Sequence, residues 1–218
     1  MKLETKKSHA KGMTLIGALV TIALIALLAA ILLPASAAAK RKSQQFGCVN
    51  CIKETSLAFE IWSGDNDNKF PTQVYATNDV MMKAIASGNS WMLWQTMSNE
   101  LSTPRILHCP NDHQTTSATN FEEGFTETSI SYFFNPDATN SAPQMVLDGD
   151  DNIVANNVRA APGILRLPTD GRIRWTPERH AGIGNIGMAD GSVSQVNNNG
   201  LSSMMAGSDT NSIRLVIP

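Results

Sequence analysis

The sequence predicts an α+β fold in which one long N-terminal helix, half of it apolar, packs on a head built around an antiparallel sheet. Three observations predict it. From Met13 to Leu33 the chain runs 21 residues without a charge. Beyond Pro34, apolar residues recur at Val49, Ile52, Phe59 and Trp62, close to helical spacing. After residue 65, short apolar segments alternate with turn-rich stretches such as GDNDNKFP, NPDATNSAP and QVNNNG.

The first twelve residues, MKLETKKSHAKG, form a basic leader with Lys2, Lys6, Lys7 and Lys11 against Glu4. The apolar run that follows is long enough, at about 1.5 Å per residue, to span roughly 30 Å of hydrocarbon. An ordinary secretory signal has a shorter apolar region, about 7 to 15 residues, with small residues at its cut. Here the apolar run is longer and the glycine, Gly12, precedes it, which disfavours cleavage after the run; a plain uncleaved anchor is the alternative. Lys40, Arg41 and Lys42 beyond the run balance the leader, so charge asymmetry does not orient the span. Pro34 removes one helical hydrogen bond and kinks the helix without ending it. Ser63, Gly64 and Asp65 supply the stop, with Gly64 suited to a left-handed C-terminal position.

Four units follow: residues 1–12 as leader, 13–34 as membrane helix, 35–64 as its amphipathic continuation, and 65–218 as a single globular head. In the head, an amphipathic helix is expected near 79–99. Strands are expected at 104–108, 129–134, 144–148, 185–189, 192–196 and 212–217. The segment NIGMADGSVSQV reads as a hairpin whose Asp190–Gly191 pair suits a tight primed turn.

Charge excludes one class of partner. The chain has 17 lysines and arginines against 19 acidic residues, and without the leader 13 basic residues face 18 acidic ones. A nucleic-acid-binding domain shows a net basic face, so nucleic acid is not a partner, and the cluster at 40–42 reads as an anchor at lipid headgroups.

The three cysteines offer a disulfide outside the cytoplasm or a metal site. A zinc set of Cys48, Cys51, His108 and Cys109 has the CxxC spacing, but both ends of CVNC lie on the predicted helix and an adjacent His-Cys makes an awkward second pair. His180 and Asp190 could be imagined as a catalytic pair. Asp190 is already explained as a turn residue beside Gly191, and a histidine at the entry of a hairpin commonly caps backbone carbonyls or packs against an aromatic such as Trp175. No serine elbow, phosphate loop or HExxH accompanies them, so the chain is not expected to be an enzyme and needs no cofactor. Asp65 with Asp67, and Asp148 with Asp150, Asp151 and Asn152, are weak calcium candidates. Neither set follows the EF-hand pattern, because the sixth position after Asp148 is Ile153 and the twelfth is Arg159; solvated turns explain both.

The leader and apolar run, KGMTLIGALVTIALIALLAAILLP, resemble the N-termini of type IV prepilins and type II secretion pseudopilins. Four further stretches, FGCVNCIKETSLAFEIWSGDNDNKFP, LHCPND, ATNFEEGFTETSISYFFN and RHAGIGNIGMADGSV, with the closing NSIRLVIP, resemble a branch of prepilin-type proteins common in Verrucomicrobia that carries a C-terminal H-x9-DG motif. The resemblance implies a pilin-like fold, cleavage between Gly12 and Met13 by a prepilin peptidase, and N-methylation of Met13. It implies an inner-membrane, single-pass subunit with its head in the periplasm or outside the cell, assembling with other pilin or pseudopilin subunits. It also implies a Cys48–Cys109 disulfide, while Cys51 stands where the branch has asparagine, and His180, Asp190 and Gly191 form a motif of no stated role.

The sequence departs from the family at Gly17, where major subunits carry a glutamate five residues after the cut. A carboxylate in lipid is expensive and persists where it has a partner. Gly17, Ala18 and Thr21 instead form a small, close-packing face; the resemblance implies that a subunit lacking the glutamate is a minor one placed at a filament tip. The alternative is a membrane-anchored binding protein that uses the prepilin export route and holds a glycan or ion through Trp91, Trp94, Trp175 or the acidic loops.

Overall fold

A computed structural model of the chain describes residues 14–168, 172–206 and 212–218. Gly12 and Met13 lie outside the described residues. The protein is α+β, with a long N-terminal helix and antiparallel sheets. It divides into two compact units, one ending at Ser43 and one spanning Gln44–Pro218, so the division falls inside the first helix.

That helix, α1, runs Leu15–Asp65 and continues through Pro34. Thr14 caps its start, its hydroxyl oxygen accepting from the Gly17 amide at 3.2 Å, which satisfies one of the amides left without an intrahelical partner. In the first unit, large apolar side chains are exposed along the helix, from Leu15 at 79% to Leu33 at 69%. This stretch is long and apolar enough to cross a membrane. The left-handed residues that follow the helix are Asp67 and Asn68 (φ 54° and 56°), and not Gly64, which stays helical. The Asn68 amide donates to the Ser63 carbonyl at 2.9 Å, closing the last turn.

In the second unit, α1 is followed by four short helices, α2 (Pro71–Val74), α3 (Asp79–Ala86), α4 (Trp91–Thr96) and α5 (Ser98–Leu101). The expected helix over 79–99 is therefore three pieces. Asn78 caps α3 through its side chain, and Gly88 at φ 94° follows it in a conformation that no continuing helix allows. Residues expected as a strand at 104–108 form a 3-10 turn at Pro104–Leu107, because Pro104 and the Thr103 side-chain cap favour a helical start.

A six-stranded antiparallel sheet takes the order β5-β9-β1-β2-β7-β8, from β1 (Tyr132–Phe134), β2 (Val146–Asp150), β5 (Gly163–Pro168), β7 (Ile183–Met188), β8 (Val193–Asn197) and β9 (Ser212–Ile217). A small sheet of β4 (Val158–Arg159), β3 (Ile153–Ala155) and β6 (Ile173–Trp175) joins α6 (Asn198–Ala206). Neither β3–β6 nor α6 was expected from the sequence.

The central strands are buried on both faces, and neighbouring residues divide between two cores. Phe134, Leu147 and Val216 pack with Phe59, Phe70 and Trp94 of the helical side. Phe133, Val146, Leu215 and Ile217 pack with Ile153, Trp175 and Leu201 on the other. A sheet sandwiched between two layers shows continuous burial where a half-exposed sheet shows alternation.

The β7–β8 hairpin is present but its turn differs from the primed type. The Met188 amide donates to the Ser192 carbonyl and the Gly191 amide to the Met188 carbonyl, at 2.9 and 3.0 Å. Gly191 takes φ 73° and Asp190 keeps a negative φ, so Ala189–Gly191 form a three-residue loop with a left-handed glycine at its end. Asp190 caps it by accepting from the Ser192 amide at 2.9 Å.

Candidate functional site

Of the polar residues singled out from sequence, Cys48, Cys109, His180, Asp148 and Asp150 come together at one buried place, where the Gln44–Asp65 part of α1 crosses β1, β2 and β7, whereas Asp190 stays in the exposed hairpin loop. Cys48 of α1 is joined by a disulfide to Cys109, with Cα atoms 5.3 Å apart and both residues fully buried. The pairing closes a sequence separation of 61 residues and ties α1 to the loop after the Pro104–Leu107 turn.

His180 sits on this disulfide. Its Nε2 lies 3.4 Å from Cys109 Sγ and 3.7 Å from Asp150 Oδ2, and its Nδ1 lies 3.2 Å from the Asn111 side-chain amide. Among the described residues its ring nitrogens meet side chains and not a backbone carbonyl. Burial, with the Arg179 guanidinium beside it, lowers the imidazole pKa to about 4, so the ring is neutral at pH 7.

Of the aspartates expected in solvated turns, Asp148 and Asp150 are fully buried and Asp151 is largely so. A register break between Val146 and Asp148 turns Asp148 and Asp150 toward α1. Asp148 accepts from the hydroxyls of Thr55 and Ser56, the latter at 3.1 Å. Asp150 accepts from the backbone and side-chain amides of Asn185 at 2.8 and 3.0 Å. Asp151 pairs with Arg179, which also pairs with Asp112 at 2.6 Å and donates to the Ser131 carbonyl at 2.9 Å. The three aspartates each face a different protein donor and do not converge as calcium ligands do. Asp65 and Asp67 are exposed in the turn after α1.

Burial governs the electrostatics. It pushes Asp148 and Asp151 up to about 7 and Asp150 up to about 6, against hydrogen bonds and the Arg179 charge that favour ionisation. Asp112 also feels burial, but Arg179 and hydrogen bonds from Gln114, Ser131 and Thr115 more than offset it and hold its carboxyl below the usual range. The Cys51 thiol, next to the Tyr132 hydroxyl, is raised by burial.

The zinc set read from spacing does not assemble. His108 points its Nδ1 to the Thr115 hydroxyl at 2.9 Å, while the cysteine and histidine atoms that come within 4.8 Å of one another belong to Cys48, Cys109 and His180. Asp112, Asn111, Arg179 and Asn185 were missed by the sequence reading. Asn111 and Asp112 lie two and three residues after Cys109 and Arg179 directly precedes His180, so proximity to the motifs was the available signal.

Of the tryptophans proposed as a binding platform, Trp94 and Trp175 are in the cores and Trp91 is partly buried against one of them. Trp94 is fully buried between Phe59 and Phe134, with ring centroids at 5.5 and 5.7 Å, and Trp175 is 2% exposed. Trp91 stacks edge-on to Phe125 at 6.5 Å. No family model, no curated protein and no solved structure matches this chain.

Proposed function

We propose that the chain is a minor structural subunit of a filament of the type IV pilus or type II secretion kind, exported through its N-terminal helix and processed after Gly12 by a prepilin peptidase. One observation carries the reading. The same helix that presents a bare apolar surface from Leu15 to Leu33 continues as a core element of the head, where Ile52, Ala58 and Phe59 are buried. A detachable anchor has no need of that continuity, whereas a subunit that packs through its helix uses one helix for both its apolar segment and the core of its head.

In this reading the head lies in the periplasm or outside the cell, where the Cys48–Cys109 disulfide persists. Partners are the peptidase, the inner membrane and other pilin-like subunits. Gly17 supports a minor role, since a chain without the intramembrane carboxylate offers no counter-charge to the amino terminus of a following subunit.

The test is mass spectrometry of the native protein. The expected mature chain begins at N-methylated Met13; an intact Met1–Gly12 segment on the membrane-inserted protein sinks the assignment. Counting subunits in sheared filaments tests the minor role, which fails if the protein is found along the whole shaft at high copy number.

A further inference from the structure

We propose that, when the Cys48–Cys109 disulfide is reduced, Cys48, Cys109 and His180 form a three-ligand site for a thiophilic divalent cation of the zinc class, with a water completing the tetrahedron. The proposal does not depend on the filament reading. Its basis is the placement of three donor side chains from three separate segments: α1, the loop at 109 and the loop before β7.

The spacing suits the ion. Zinc with thiolates at about 2.3 Å and imidazole or carboxylate at about 2.0 to 2.2 Å sets donor atoms roughly 3.3 to 3.8 Å apart. His180 Nε2 is 3.4 Å from Cys109 Sγ. The Cys48, Cys109 and His180 donors all lie within 4.8 Å of one another. Breaking the disulfide lets the two sulfurs separate to the thiolate spacing that a shared metal requires.

Outer partners are also in place. A metal-bound histidine is oriented by a hydrogen bond to its other ring nitrogen, and Asn111 meets Nδ1 of His180 at 3.2 Å. Asp150, whose Oδ2 lies 3.7 Å from His180 Nε2 and is held by both amides of Asn185, supplies a further negative charge beside the cation.

The chemistry is closed. A dithiol reduces the protein disulfide, becoming a disulfide itself and leaving two protein thiols; metal binding then releases the two thiol protons. Reoxidation returns two electrons to a disulfide acceptor and expels the ion. Disulfide and metal thus exclude each other while tying α1 to the same loop.

The test uses the full-length chain in detergent, reduced with a phosphine, freed of reductant under inert gas and titrated with Co2+. Expected are one cobalt per chain, thiolate-to-cobalt charge-transfer absorption and displacement by Zn2+, with none of these in the oxidised protein. His180→Ala should weaken binding at least tenfold, Cys48→Ser should abolish the charge-transfer bands, and Cys51→Ser should leave them unchanged. X-ray absorption of zinc-loaded wild-type protein, which needs no variant, should show two sulfur and two nitrogen or oxygen neighbours. The proposal is overturned if the reduced protein binds no cobalt, if it binds only when unfolded by circular dichroism, if the oxidised protein binds equally, or if zinc shows three or four sulfurs or none.

Discussion

Glu127 holds the start of α4, and burial makes it a pH-sensitive cap. Its carboxylate accepts from the Trp91 amide at 3.0 Å and the Ser90 hydroxyl at 2.7 Å. Burial nevertheless dominates these bonds and pushes its pKa up to about 7 from 4.5. A carboxyl whose folded pKa is raised binds more protons folded than unfolded between those values, so stability falls as pH rises from 4.5 to 7. Glu127→Gln keeps a neutral acceptor and removes the titration. Urea unfolding of the wild type and the variant should give a stability difference that shifts in the variant's favour by roughly 2 kcal/mol from pH 4.5 to pH 8, after a discount for partial exposure. A difference that stays flat across that range refutes the assignment. Gly187 is constrained by space alone: a Cβ there would collide with the Asp148 carboxylate and the Ser56 hydroxyl. Gly187→Ala should therefore cost about 3 kcal/mol or more, combining overpacking with a displaced buried carboxylate. A thermal midpoint within a few degrees of wild type would contradict this close approach.

At the scale of elements, α1 is held to the head by three kinds of bond: the Cys48–Cys109 disulfide, the Thr55 and Ser56 hydroxyls on Asp148 of β2, and the Phe59 contacts to Phe70 and Trp94. A closed loop of this length contributes about 4 kcal/mol in the chain-entropy model. Paired alanines at Cys48 and Cys109 should lower the unfolding free energy by that order in detergent-solubilised protein, with Cys51→Ser changing it by less than about 1 kcal/mol. Arg179 makes a contrasting test, because its removal strands Asp112 and Asp151 in the interior. Arg179→Met should cost about 3 to 5 kcal/mol, more than replacing the exposed Arg159, whose pairing with Glu178 at 2.9 Å is solvated. Equal costs at the two arginines would show the buried cluster to be energetically unimportant. These elements also explain what was legible. Helix α1 could be read from an uninterrupted apolar run and then from helical spacing, and β7–β8 and β9 from short β-rich segments beside turn residues. The pieces at β3–β6 were not legible because they are two to six residues long, and the buried ones, such as Ile153, Ile173 and Trp175, owe their burial largely to pairing and packing with segments distant in sequence. Asp148, Asp150 and Asp151 read as a solvated turn because DGDDN is turn-like in composition; the register break in β2 and the donors from α1, β7 and Arg179 are tertiary facts that override it.

At the scale of the molecule, the open question is what the first half of α1 is for. Its apolar side chains are exposed along the helix, and two solvents could cover them: lipid alone, or lipid together with neighbouring helices. A plain anchor needs only hydrophobic length, and any sequence of about 20 apolar residues supplies it. A packing helix also needs shape, and the small residues Gly17, Ala18 and Thr21, with the Thr21 hydroxyl returned to the Ala18 carbonyl at 2.8 Å, give one face on which another backbone can approach closely. Replacing residues 15–33 with an unrelated apolar segment, while leaving Gly12, Met13 and Thr14 in place, separates the two. The swapped chain should still be processed, remain in the membrane fraction and form the Cys48–Cys109 disulfide, because none of these depends on the helix face. Its recovery with sheared filaments should fall at least tenfold, since the interhelical contacts are lost while the anchor is kept. Recovery at the wild-type level would mean that the segment serves only as an anchor, and the head would then have to carry the protein's function by itself.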